Sequence, residues 1–149
     1  PMGIGNATMS APHRASLTVK AQTDSIARCA EFVLACATAA GFPPDRVREM
    51  ELVVEEVVVN ICRHAYSDAP GEVEIRCGRA DSEHLFVEFI DSGKPFKILA
   101  SPAPDLTVDV NERQVGGLGI PLIRAMMDKV SYCREGDRNI LRVTARLPR

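Results

Sequence analysis

The sequence predicts an α+β fold, a two-layer sandwich in which a mixed, mostly antiparallel sheet is covered by about three helices. Two kinds of pattern support this prediction. Some short segments alternate apolar and polar residues, as half-buried strands do, while other segments space their apolar residues by three and four, as amphipathic helices do. Along the chain the order is strand, two helices, two strands, a long loop, a helix and two strands. A doubly wound parallel fold would alternate strands and helices more strictly, so this grouping favours the α+β class.

The predicted strands comprise residues 16–21, 72–78, 84–90, 131–134 and 139–147. The last two pair as a hairpin across a turn at Glu135, Gly136 and Asp137. From Asp91 to Gly119 neither the strand period nor the helix period is found. A loop of this length within one domain is usually functional.

Two of the helices lie between the first two strands. The first begins at a cap provided by Thr23 or Asp24 and runs to Ala40. The second is capped by Asp45 and ends near residues 67–68. The third follows the long loop and has a proline in its first turn, where no amide donor is needed. Its predicted inward residues are Ile120, Ile123, Met127 and Val130.

Length and composition indicate one globular domain. The chain has 149 residues, 46% of them hydrophobic and 26% charged, which is ordinary for a domain with a single core. A formal net charge of -2, without a basic block, argues against direct nucleic-acid binding. No apolar run reaches membrane-spanning length, so no membrane partner is predicted.

Cysteine usage predicts a reducing, cytoplasmic location. The five cysteines are odd in number and widely spread, and none forms the C-x-x-C pair of a zinc ribbon or redox motif. The N-terminus lacks the layout of a signal peptide. It looks instead like a cleavage scar or an expression remnant, so residues 1–14 are predicted to be disordered or foreign and residues 15–149 to form the domain.

The second helix carries the first candidate site. Glu56 and Asn60 lie one turn apart along the edge of its apolar face. Asparagine is a mediocre helix former, because its amide competes for backbone hydrogen bonds, so Asn60 either bonds a neighbouring backbone group or serves a site. In the second case the pair offers a carboxylate base and an amide-oxygen metal ligand. The apolar face consists of Val47, Met50, Val54, Val57, Ile61 and Ala65.

The second candidate site follows the third strand. Asp91 ends the strand, and Gly93 lets the backbone approach another group closely. A carboxylate at such a place can accept a hydrogen bond from the exocyclic amine of adenine, whereas guanine presents an acceptor oxygen there. Asp-x-Gly is also a common turn, and the motif alone leaves both interpretations open.

A glycine run, Gly116-Gly117-Leu118-Gly119, is the third candidate. It opens a helix, where bare amides and the helix dipole favour phosphate. It is not a Walker A loop, because no Gly-Lys-Ser/Thr follows, and not a Rossmann turn, because no strand immediately precedes it. The alternative to a phosphate-binding role is that these glycines form a hinge in a mobile loop.

Together the three motifs, E-x-x-x-N on a helix, D-x-G after a strand and G-G-L-G before a helix, resemble those of the GHKL ATPases, which include DNA gyrase and the histidine kinases. Within this group the chain is most similar to the anti-sigma-factor serine kinases, over about residues 15–147. The resemblance implies a Bergerat-type ATP-binding fold with residues 97–119 as a lid over the nucleotide.

The resemblance also implies a role for each matching residue. Glu56 matches the general base, which takes the proton of an attacking serine or threonine hydroxyl. Asn60 matches the Mg²⁺ ligand, Asp91 the acceptor of the adenine amine, and Gly93 the glycine beside the base. Arg63 matches a basic phosphate contact of histidine kinases.

The phosphate-binding lid residues of the family match Gly117, Leu118 and Gly119. One departure is Pro95, which stands where many relatives have a second glycine and makes the loop stiffer. A second is that the lid contains no unambiguous cation for the γ-phosphate.

The implied function is that of an anti-sigma regulatory factor with serine/threonine protein kinase activity, using ATP and Mg²⁺ and releasing ADP. Such a protein holds a sigma factor inactive and phosphorylates an anti-anti-sigma (STAS-type) antagonist, and its relatives commonly form homodimers. Phosphoryl transfer needs positioning and charge neutralisation more than covalent catalysis, so one base, one metal ligand, glycine amides and a cation suffice.

Three other interpretations are open. A regulatory module would keep the nucleotide as a structural ligand and sequester its partner without phosphotransfer, although the intact Glu56 argues against this. The excised catalytic domain of a histidine kinase would follow a phosphoaccepting histidine, and only His13 precedes this domain. An unrelated α+β protein would bind no nucleotide.

Overall fold

A computed structural model describes residues 14–66, 71–95 and 119–148 of the chain. Within them the strands are Ala15–Lys20 (β1), Glu72–Arg79 (β2), His84–Asp91 (β3), Lys129–Glu135 (β4) and Arg138–Arg146 (β5). They form one sheet in the order β1-β2-β3-β5-β4, and all four described pairings are antiparallel. The predicted α+β sandwich is confirmed, with an antiparallel sheet in place of the mixed one.

The helices are Ile26–Ala39 (α1), Pro44–Asn60 (α2) and Gly119–Met126 (α3). α1 and α3 both pack against α2, and all three contribute to the core on one face of the sheet. In the described part of the chain, no helix has the length and apolar character needed to cross a membrane.

Two predicted helix caps are wrong. α1 begins only at Ile26, because Thr23–Ser25 forms a 3₁₀ turn, and no side chain caps the helix. α2 begins at Pro44, one residue before the predicted cap, Asp45. Proline suits the first helical turn because no N–H donor is needed there, and the Asp45 carboxylate lies near the positive end of the helix dipole.

The C-terminal end of α2 is a π-helical turn, Ile61–Ala65, which begins directly after Asn60. Such turns are rare and frequently occur at functional sites. The end predicted from the sequence, residues 67–68, lies outside the described residues.

The apolar face predicted for α2 is confirmed. All six of its residues are buried in the core, and Val53 and Val58 widen the face. On the sheet, alternate residues of β2 (Val73, Ile75 and Cys77) are buried in the same core, where β2 packs against α1. The core therefore lies between the helices and the inner face of the sheet.

The third helix is shorter than predicted and is anchored at its C-terminal end. Arg46, near the start of α2, donates a hydrogen bond to the carbonyl of Met126 and lies 3.5 Å from the carboxylate of Asp128. The N-terminal end of α3, at Gly119, lies at the other end of the helix from this anchor. Val130, predicted to belong to this helix, lies in β4.

Candidate functional site

Asn60 is a buried amide at the end of α2, with 5% of its surface exposed. Within the described residues its carboxamide makes no hydrogen bond, which is rare for a buried polar side chain. The alternative that Asn60 bonds a backbone neighbour therefore has no support in this part of the chain. Glu56 lies one turn earlier on the same helix and is half-buried. The predicted pair thus combines a carboxylate with an amide that is available to a ligand.

Arg63 lies on the π-helical turn that follows Asn60 and is exposed. It forms no ion pair with any residue that the structure describes. A guanidinium with five donors and no carboxylate partner is suited to bind an anion.

Asp91 is the last residue of β3 and is 3% exposed. Its Oδ1 accepts hydrogen bonds from the backbone N–H of Gly93 and from Nδ2 of Asn139, both at 2.8 Å. No donor among the described residues reaches Oδ2. Burial raises the pKa of Asp91, while the two hydrogen bonds and the charge of Arg134 act in the opposite direction. One carboxylate oxygen therefore remains for a further donor.

Asn139 fixes the position of this carboxylate. It lies opposite Asp91 in the pairing of β3 with β5 and is 1% exposed. Its Nδ2 also donates to the carbonyl of Lys94 at 2.8 Å. Its Oδ1 accepts from Tyr132 Oη at 2.5 Å and from Arg134 Nη1 at 3.1 Å.

No sequence motif marks Asn139, Tyr132 or Arg134 as site residues, because they lie in an ordinary strand hairpin. One signal was present. Asn139 occupies an inward position of β5, in line with the buried Leu141 and Val143, and a polar residue at such a position needs a partner.

Gly93 connects the Asp91 loop to the end of the π-helical turn. A Cβ atom on Gly93 would lie 2.2 Å from the carbonyl oxygen of Ala65. The same oxygen accepts a hydrogen bond of 3.0 Å from the N–H of Lys94. The carbonyl of Gly93 accepts a further bond from Arg134 at 2.7 Å. The structure thus joins the D-x-G motif to the turn that follows the E-x-x-x-N motif.

Tyr66, the residue after the π-helical turn, adds a second connection. Its hydroxyl donates to the carbonyl of Glu72 at 2.7 Å and accepts from the N–H of Ser92 at 2.8 Å. One side chain thereby ties the start of β2 to the loop after β3.

The third motif is placed only at its end. Gly119 is the first residue of α3, while Gly117, Leu118 and nearly all of the predicted lid, residues 97–119, lie outside the described residues. Their predicted contact with phosphate stays a prediction.

The described residues offer few ligands for a magnesium ion. No group of three or more His, Cys, Asp or Glu residues that could hold a metal occurs in the described ranges. Mg²⁺ commonly keeps several waters and takes one or two protein oxygens together with substrate phosphates. The buried carboxamide of Asn60, without a partner in the part of the chain that the structure describes, fits this mode of binding.

Comparison with known sequences gives a family match over most of the chain. Residues 19–145 match the model of the histidine kinase-like ATPase domain. The serine-protein kinase RsbW of Bacillus licheniformis is 33% identical over 101 residues, which cover 63% of this chain and 61% of that protein. The serine-protein kinase RsbW of Bacillus cereus strain AH187 is 25% identical over 129 residues, 84% of this chain and 80% of that protein. The chain therefore spans about three fifths of the first relative.

Solved structures with the same fold come from a blue-light activated histidine kinase, EL346 of Erythrobacter litoralis. One gives a TM-score of 0.55 at 22% identity and covers 80% of this chain and 42% of that chain. The other, a structure of its histidine kinase domain, gives a TM-score of 0.54 at 23% identity and covers 83% of this chain and 60% of that chain. At this identity the likeness concerns the fold, a five-stranded antiparallel sheet with three helices.

We expect Gly93→Ala to destabilise the protein by about 1–3 kcal/mol, because the added methyl group must displace the Ala65 carbonyl. Urea unfolding monitored by circular dichroism measures this change. Ser92→Ala is the matched control in the same loop, because Ser92 is exposed and only its backbone N–H makes the bond to Tyr66. Equal stability of the two variants would contradict the close approach.

We expect Asp91→Asn to change how stability depends on pH. Burial raises the pKa of Asp91 in the folded protein above the ordinary value of 3.8, which applies to the unfolded chain. The folded protein therefore holds the Asp91 proton to higher pH. The wild type therefore loses a stabilising contribution as the pH rises from below 3.8 through the raised value, and the variant does not.

The measurement is the difference in unfolding free energy between variant and wild type, from urea titrations across this range. The variant should gain stability relative to the wild type as the pH rises. A difference that stays constant or falls with pH would show that Asp91 is not held in a desolvated site.

Proposed function

Because the chain belongs to the family of histidine kinase-like ATPase domains, we propose that it binds ATP with Mg²⁺ and is a serine/threonine protein kinase of the anti-sigma type. The observation that supports this most is the buried carboxamide of Asn60, which has no hydrogen-bond partner among the described residues and lies one turn after Glu56. Two similar proteins are named serine-protein kinase RsbW, which supports the kinase class.

Asp91 would recognise adenine. Its Oδ2 is open among the described residues, and a buried carboxylate oxygen accepts a hydrogen bond from the 6-amino group. Guanine would place its O6 against this oxygen, leaving two acceptors facing each other without a proton. Gly93, two residues after Asp91, would lie beside the base.

Asn60 would hold the magnesium ion through its amide oxygen, with waters and phosphate oxygens as the other ligands. When bound, the ion neutralises phosphate charge. The exposed guanidinium of Arg63 would contact a phosphate group. Gly117, Leu118 and Gly119 would add backbone N–H donors at the N-terminus of α3, where the helix dipole favours an anion.

Glu56 would act as the general base. Its carboxylate would accept the proton of a serine or threonine hydroxyl as the hydroxyl oxygen bonds to the γ-phosphorus of ATP. The bond between the γ-phosphorus and the bridging oxygen of ATP would break at the same time, and ADP would leave. The protein's remaining contribution would be positioning, by the loop after β3 and the end of α2.

The proposed partners are a sigma factor, held inactive, and an anti-anti-sigma antagonist of the STAS type, which receives the phosphoryl group. Phosphorylation of the antagonist would then decide which partner is bound. A cytoplasmic location and a homodimer are parts of the same proposal, as are the absence of nucleic-acid and membrane partners.

Calorimetric titration with ADP and GDP, with and without Mg²⁺, tests the nucleotide site. We expect the wild type to prefer ADP by at least about 100-fold, because a hydrogen-bonding site rejects the wrong base strongly. Asn60→Ala should lose the effect of Mg²⁺, and Asp91→Asn should lose the preference for adenine. Leu52→Ala, an exposed position on α2, is the control. Equal affinity of the wild type for both nucleotides would rule out this site.

The variant Glu56→Gln tests phosphotransfer separately from binding. We expect transfer from labelled ATP to a STAS-domain protein of the same organism to fall by about 10²–10⁴-fold, with ADP affinity unchanged. Glu55→Gln, a neighbouring half-buried carboxylate, is the matched control and should keep the activity. If the wild type binds ADP but transfers no phosphate to any such protein, the alternative function applies, a regulatory module that sequesters its partner without phosphotransfer.

A further inference from the structure

We propose that Asn139 determines which purine the Asp91 site accepts, by holding Oδ1 of Asp91 as an acceptor and leaving Oδ2 to the 6-amino group. This inference rests on the proposed nucleotide-binding function. It adds a positioning residue that contacts the carboxylate rather than the base.

The orientation of the Asn139 amide is fixed by its neighbours. Its Oδ1 receives Arg134 Nη1 at 3.1 Å, and a guanidinium can only donate. Tyr132 Oη reaches the same oxygen at 2.5 Å. A flipped amide would set N–H groups against Arg134. The Nδ2 group must therefore face Asp91 and the Lys94 carbonyl, both at 2.8 Å.

This orientation makes Asp91 an acceptor. Its Oδ1 receives donors from both Asn139 and Gly93, so no proton can occupy that oxygen without losing a hydrogen bond. Burial favours the protonated carboxyl, whereas the Asn139 amide, the Gly93 N–H and the Arg134 charge favour the ionised one. A protonated Asp91 would carry its proton on Oδ2 and would donate to a 6-oxopurine. The Asn139 donor therefore determines that Asp91 accepts a hydrogen bond from the base and does not donate one to it.

The variant Asn139→Asp removes this donor, together with its bond to the Lys94 carbonyl. It keeps the size of the side chain and the oxygen that accepts from Tyr132 and Arg134. It replaces Nδ2 with a carboxyl oxygen that faces Asp91 at hydrogen-bond distance. Two carboxyl groups so close share a proton, so the pair can donate as well as accept.

The experiment is calorimetric titration of the full chain with ADP and with inosine diphosphate, each in the presence of Mg²⁺. For the wild type we expect ADP to bind at least about 100-fold more tightly than inosine diphosphate. For Asn139→Asp we expect this ratio to fall at least tenfold, because the affinity for ADP drops more than that for inosine diphosphate. A purely structural role would weaken both nucleotides equally and leave the ratio unchanged.

Val143→Ala is the matched control on the same strand, because it removes buried aliphatic volume and leaves the polar network intact. It should lower stability and keep the ratio. Arg134→Gln, at an exposed position, is the second test variant. It removes the charge that orients Asn139, so the ratio should fall at least threefold.

The outcomes separate the two proposals. A wild type that binds neither nucleotide overturns the proposed function and this inference with it. A wild type that selects ADP, together with an unchanged ratio in a folded Asn139→Asp, overturns this inference alone. If Asn139→Asp does not fold, Arg134→Gln decides, and an unchanged ratio there overturns the inference as well.

Discussion

The packing of α2 on the inner face of the sheet is the constraint on which the candidate site depends. The valine-rich face of this helix is buried along its length, so the helix can neither rotate nor slide without exposing apolar surface. Asn60 is thereby fixed at the end of the helix. The Ala65 carbonyl follows it and receives the N–H of Lys94, and Gly93 leaves room for this approach. Two motifs that are distant in sequence meet because one helix is held in one position.

Much of the fold could be predicted because burial leaves a period in the sequence. The apolar face of α2 and the inward residues of β2 follow the helix and strand periods, and both were found. Asp91 could be placed at a strand end for the same reason. The caps at Thr23 or Asp24 and at Asp45 were predicted wrongly. A 3₁₀ turn precedes α1, and a first-turn proline removes an N–H that a cap of α2 would otherwise bond.

The remaining features depend on contacts between distant parts of the chain, which no local pattern records. The π-helical turn Ile61–Ala65 has the composition of an ordinary helix end. The network around Asn139 needs the register of β3 against β5 and of β4 against β5, which becomes known only when the sheet is assembled. The glycine motif ending at Gly119 was recognised from its sequence, and its contact with phosphate stays a prediction.

The position of the tyrosines has an optical consequence. The chain contains two tyrosines and no tryptophan. The hydroxyl of Tyr66 bonds Ser92 next to Asp91, and that of Tyr132 bonds Asn139, which holds Asp91. Nearly all of the intrinsic fluorescence of the native protein therefore arises from two rings, one bonded to the loop after Asp91 and the other to the residue that holds Asp91. Without any dye, the emission of the unlabelled chain reports on this one region.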